Sequence, residues 1–326
     1  MALKPPVEVP QGAIRLNTDS QKLEFFAQDQ WWEMATDVPT LDGGARGLFG
    51  GGYTPSVLDT IDYITIPTAG NAIDFGNLTV ARYGPGSCAS RTRGLWFGGR
   101  APGYKDEIDY VTISSTGNAT DFGNLGAVRA YVASFSSATR GFSAGGLTPS
   151  SVDTIEYVTI AATGNAIDFG NLTGNRYGAA GCANPTRGLI GAVYGNVNTI
   201  DYVTMATLGD AQDFGDLQDA RGYVISCSNS IRGFFAAGYS PATVNTIEYV
   251  TIATTGNARD YGDLTSAYYR GGGAASHVRA TFAGAFSPLS TIDYVTIATI
   301  GDGIDFGDLS EQRKAPGGCS NAHGGL

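Results

Sequence analysis

The chain offers little that could do chemistry, and what it offers is repeated. Its two histidines, His277 and His323, have no further metal-ligand group beside them. The four cysteines, Cys88, Cys182, Cys227 and Cys319, each stand six residues after an arginine: Arg82, Arg176, Arg221 and Arg313. The two other places of this kind hold Phe135 and Ala274. A site that takes Cys, Phe or Ala reads as apolar packing, not as a disulfide framework. Carboxylates three residues apart occur in 213–216, 260–263 and 305–308. Calcium wants six or more oxygens from a shaped loop, and three earlier copies put Asn77, Asn124 and Asn171 at the second place. No Ser/His/Asp or Cys/His constellation is visible, and no phosphate-cradling loop leads a strand into a helix. The expectation is a protein that is not an enzyme and uses no metal and no cofactor.

The elements that would position any site come from a repeat. TIDYITIPTAGNAIDFGNL (60–78) returns five more times with small changes. Six Arg-Gly or Arg-Ala pairs, at Arg46, Arg93, Arg140, Arg187, Arg232 and Arg279, are spaced 47, 47, 47, 45 and 47 residues apart. In one unit the pieces 81–90, 93–99, 107–113 and 118–125 read as four strands between Gly, Pro, Asn and Ser clusters. The Thr-Gly-Asn between the last two suits a tight hairpin, because Gly and Asn tolerate positive φ. In the third strand neither face is plainly polar, as expected for sheets packed on both sides. The repeated region opens with a second strand (44–52) and ends with a first strand (313–321). The reading is all-β: a six-bladed β-propeller of four-stranded blades over residues 43–326. A C-terminal innermost strand would join the N-terminal blade and leave no open edge.

The 326 residues carry a net charge of −10 with only 15% charged side chains, and 47 are glycine. Nucleic-acid binding needs a basic footprint, which this balance lacks. There is no apolar run of membrane-spanning length and no secretory signal in MALKPPVEVPQG, so synthesis in a cytoplasm is expected. An active site breaks symmetry, whereas the six arginines obey it. They are expected to pair with Asp74, Asp121, Asp168, Asp213, Asp260 and Asp305, since a buried guanidinium favours a fork-shaped partner.

Several of these residues carry a resemblance. Arg82 opening a first strand, Gly98-Gly99 ending a second, Asp109-Tyr110 in a third and an aromatic at Phe122 in a fourth resemble the kelch repeat. The fourth-strand aromatic is Phe or Tyr here, where kelch repeats usually have Trp. The double glycine is eroded at 192–193, 237–238 and 284–285. The TGNAxDFGxL form looks like repeats in virion proteins of environmental tailed phages, often labelled kelch-like or galactose-oxidase-like. The resemblance implies a non-enzymatic virion structural protein, a tail fibre, appendage or capsid decoration, assembled in the host cytoplasm. The oxidase label also raises copper, whose histidine, tyrosine and thioether set is not assembled by this sequence.

Residues 1–42 do not fit the repeat. Residues 12–35 alternate as a β-hairpin about a turn at 17–20, with Ile14 and Leu16 opposite Leu23 and Phe25. A lone hairpin is marginal in water. Phe25, Phe26, Trp31 and Trp32 are therefore expected to be buried, on the propeller or on a partner: the segment either caps the propeller or serves partner attachment or oligomerisation, as its resemblance to the short hairpins of phage tail-fibre proteins implies. Other virion proteins would be the partners, in an oligomeric assembly. In the repeat region the loop after the second strand varies most, and Tyr53, Arg100, Tyr104, Lys105, Tyr194, Tyr239 and Phe286 are the candidate binding face. Exposed aromatics with a few polar groups suit a host-surface glycan or protein. A cellular carbohydrate-binding or adhesin-type propeller is the alternative.

Overall fold

The computed structural model describes residues 9–17, 22–33, 45–195, 197–286 and 289–326. Every regular element among them is a β-strand, and the chain divides into two compact units, Met1–Gly43 and Gly44–Leu326.

The first unit is a three-stranded antiparallel sheet, Ile14–Asn17, Lys22–Ala27 and Gln30–Glu33, instead of the expected hairpin. The Trp pair extends the meander because Gln28 and Asp29 take positive φ and make a second tight turn. The expected pairings Ile14 with Phe25 and Leu16 with Leu23 are present. The turn proposed at 17–20 lies largely outside the described residues.

In the second unit six antiparallel sheets have four or five strands each. One runs Gly86–Ala89, Arg93–Ala101, Gly103–Thr112, Thr120–Asn124. The β-period dominates because each third strand alternates buried residues toward both neighbours, as Ile108, Asp109 and Val111 do. Each fourth strand bulges at a glycine, such as Gly123 with φ 144°. A Cβ there would meet the Gly164 carbonyl oxygen of the following sheet at 2.4 Å, so the bulge glycine permits the sheets to approach.

Six apolar clusters lie between consecutive sheets, one of them joining the last sheet to the first through Phe49, Ile64, Ala283 and Phe306. The first strands touch in a closed cycle, and Gly317–Ser320 pairs with Arg46–Thr54 to complete the opening sheet. This all-β arrangement is compatible with a β-propeller.

The salt bridges correct the sequence reading. The Arg-Gly arginines do not meet Asp74, Asp121, Asp168, Asp213, Asp260 or Asp305, all of which are exposed. Arg93 instead lies 4.7 Å over the ring of Tyr110 and donates to the Ile160 carbonyl of the next sheet. The other five equivalents repeat this contact. The buried ion pairs belong to the other arginine set: Arg82–Asp109 at 3.0 Å, Arg176–Asp201 at 2.7 Å, Arg221–Glu248 at 2.8 Å, Arg313–Asp62 at 2.8 Å, and Arg129–Glu156. Each carboxylate also accepts from the backbone ahead of its arginine. Aspartates there meet a hydroxyl of Thr79, Thr173 or Ser310, as Asp293 of the remaining repeat meets that of Thr265, whereas the longer Glu156 and Glu248 meet the N–H of Gly126 and Gln218. The cysteines are free and buried, and desolvation pushes the Cys88 and Cys182 thiols up to about 12.

Candidate functional site

The candidate site grows from the residue two places after each buried-arginine position, which holds Tyr268 in one repeat. Gly84, Tyr131, Gly178, Tyr223, Arg270 and Ala315 all take φ between 55° and 64°. In that left-handed turn each backbone N–H donates to the carbonyl of the preceding member: Tyr131 to Gly84, Gly178 to Tyr131, Tyr223 to Gly178, Arg270 to Tyr223, Ala315 to Arg270, and Gly84 to Ala315. These six bonds, 2.7–3.1 Å long, close a ring of amides around one end of an axial channel. Only two of the six positions are glycine, so the ring holds four L side chains in a conformation they seldom adopt.

The residue just before each ring member pairs with a residue at or just past the end of the second strand; Tyr53 and Arg100, expected in loops, lie within those strands. Tyr53 bridges to Lys314, Arg100 to Tyr83, Leu147 to Ala130 and Tyr239 to Gly222. Tyr194 and Phe286 donate their N–H to the carbonyls of Tyr177 and Tyr269. The variable loops are thereby tied to the rim of the channel.

The result is an open aromatic basin of about 420 Å³, floored by the amide ring and lined in part by Tyr53, Tyr83, Tyr131, Tyr177, Tyr223 and Arg270. The rings touch in a chain: Tyr53 to Tyr83 at 5.7 Å, Tyr83 to Tyr131 at 6.2 Å, Tyr131 to Tyr223 at 5.7 Å, and Tyr223 to Tyr269 at 6.1 Å. Phe286 stacks on Tyr269 at 4.8 Å. The Lys314 ammonium bridges the two ends, 4.5 Å from Tyr53 and 4.6 Å from Phe286. Arg270 sits inside, 3.9 Å over Tyr223 and 4.9 Å over Tyr131. Burial raises the Tyr131 and Tyr269 phenols, and it pushes Tyr177 up to about 12, so these hydroxyls remain neutral donors and acceptors.

Below the ring the channel narrows to a space of about 110 Å³ between the glycine-rich first strands. Its far end is crossed by residues 321–326. His323 Nε2 lies 2.6 Å from the Ala89 carbonyl, and its Nδ1 accepts from the Gly325 N–H. Desolvation lowers the imidazole to about 4, which keeps it neutral in this contact. No group of three or more metal-binding side chains occurs among the described residues.

Of the loop residues singled out in the sequence, Tyr53 and Arg100 line the basin, while Tyr194, Tyr239 and Phe286 stand on its exposed rim. Tyr104 joins indirectly, with the Arg100 guanidinium 5.3 Å over its ring. Lys105 does not join, and its ammonium is 3.6 Å from Glu107. Sequence reasoning missed Tyr83, Tyr131, Tyr177, Tyr223, Tyr269, Arg270 and Lys314. Their signal was an aromatic or cation one or two places after each buried-arginine position.

In the N-terminal unit the four aromatics divide between two faces. Phe26 and Trp31 pack edge to face at 5.3 Å, with Arg15 over Trp31 at 4.1 Å. Ile14, Phe25 and Trp32 share a row across the strands and are 63%, 37% and 44% exposed. Successive residues of a strand face opposite ways, so Phe25 and Trp32 lie on the face away from Phe26 and Trp31.

No protein-family model matches the chain, and no curated protein matches it.

Proposed function

We propose that residues 43–326 are a six-bladed kelch-like propeller and that the chain is a non-enzymatic structural protein of a tailed-phage virion. In this reading the loop face engages the host surface, and residues 1–42 attach the protein to other virion proteins. The closed cycle of six amide bonds and six intersheet clusters supports the blade count. The observation that carries the function is the basin. The scaffold contacts repeat from sheet to sheet, but the side chains over the amide ring do not, and binding needs such asymmetry. Support for attachment is the exposed row Ile14, Phe25 and Trp32, since apolar surface of this kind favours a partner.

Immunogold labelling of purified particles with an antibody to the repeat unit tests the proposal. Label at tail tips or fibres supports host recognition. Label over the capsid moves the role to decoration, and particles without label overturn the virion assignment. The basin also favours a second reading, a cellular adhesin-type propeller, which would bind glycans with no particle partner.

A further inference from the structure

We propose that the basin recognises a carboxylated saccharide, with Arg270 receiving the carboxylate and the tyrosine faces receiving the sugar ring. The inference rests on the recognition role given above to the same face, and it names the ligand class.

The first observation is a displaced arginine. Five repeats place an arginine at the buried position, where it meets a carboxylate of the next sheet. The remaining repeat reads Tyr268-Tyr269-Arg270, with the arginine two residues later. Asp293, the carboxylate at the vacated place, is left with the Tyr268 hydroxyl at 3.3 Å. The guanidinium stands over the channel against the Tyr223 and Tyr131 rings, and it makes no ion pair among the described residues. Folding does not call for a cation there, since Gly84, Gly178 and Ala315 fill the same ring position.

The second observation is the sign of the lining. Arg100, Arg270 and Lys314 line the basin and no carboxylate does, in a chain whose net charge is −10. A bidentate guanidinium–carboxylate pair suits such a place.

The third observation selects a sugar over an acidic peptide. A peptide docking as an added strand needs free backbone groups, but the floor amides are spent on the closed ring and the rim amides on the pairing of Tyr53, Arg100, Tyr194, Tyr239 and Phe286. What remains is phenol hydroxyls and ring faces, which match sugar hydroxyls and the C–H face of a pyranose. A space of about 420 Å³ falls in the range of small-ligand sites.

The test is an array of uronate- and sialate-bearing glycans, each beside its methyl ester, probed with the full chain and with Arg270→Gln and Lys314→Met. The expected result is binding to acidic glycans about tenfold or more tighter than to their esters. Arg270→Gln is expected to abolish that difference and Lys314→Met to reduce it, with thermal unfolding unchanged. The ester comparison needs only the unaltered protein, so it decides the matter even where a variant fails to fold. Equal binding of acid and ester overturns the role of Arg270 while leaving the face a glycan reader. Competition by a polyglutamate peptide as strong as that by the glycan overturns the saccharide assignment. Absence of glycan binding alongside tail-tip label on particles sinks this inference alone.

Discussion

Asp293 is the exception among the six buried third-strand carboxylates, having a phenol where the others have a guanidinium. Burial raises its pKa above the ordinary 3.8, and the hydrogen bonds from Thr265 and Tyr268 only oppose that shift. A carboxyl raised in the folded state adds stability below its unfolded pKa and loses it as pH rises through the folded value. Tyr268→Arg restores the counter-charge. The stability difference between this variant and the parent is therefore expected to grow from pH 3 to pH 7, reaching about 1–2 kcal/mol in favour of the variant. Urea midpoints across that range measure it, and parallel pH profiles would remove the argument. This pairing was not legible in the sequence. Two carboxylates per repeat recur with the same period as the arginines, so spacing alone cannot choose between them. Burial chooses: the third-strand carboxylate is enclosed between sheets, while the fourth-strand Asp74 and its equivalents face water.

At the scale of the strand, the second-strand glycine after five of the six arginines is set by the sheet before it. A Cβ on Gly188 would lie 2.0 Å from Cε2 of Phe135, and one on Gly141 would lie 2.8 Å from the Cys88 sulfur. Gly188→Ala is expected to destabilise by about 1–3 kcal/mol through overpacking. In a Phe135→Cys background the same change should cost much less, because Cys227 and Ala280 already share a core cluster. A double-mutant cycle by denaturant titration reads the coupling, and additive costs would refute it. The strands themselves were readable, since alternation and turn residues recur with the repeat. The double glycine was readable too: at Gly98 a Cβ would meet the Arg129 carbonyl at 2.3 Å, and where it erodes, Ala192 and Ala237 still hold positive φ. The basin was half legible. Its loop residues stood out by variation, but Tyr131, Tyr223 and Arg270 are not residue types that announce a left-handed turn.

For the repeat unit as a whole, the pairing of its last strand with its first sheet is expected to support stability. Trp96 is fully buried between sheets and its Nε1 donates to the Gly317 carbonyl at 3.2 Å. Deleting residues 316–326 removes the strand that completes the opening sheet. The expected outcome is a red-shifted Trp96 emission, a lower denaturant midpoint and a broadened transition. Unchanged cooperativity would mean the sheets stack as an open array. The same sheet has a mechanical consequence. Strand Arg46–Thr54 is the one through which the chain enters this unit, and it is hydrogen-bonded on both sides, to Gly317–Ser320 and to Ser56–Thr65. A pull arriving along the chain from residue 45 runs parallel to that strand, so its ladder bonds are loaded together in shear and cannot be peeled one at a time. A protein tethered by its N-terminal segment and tugged at its loop face would hold at this clasp until several bonds fail at once.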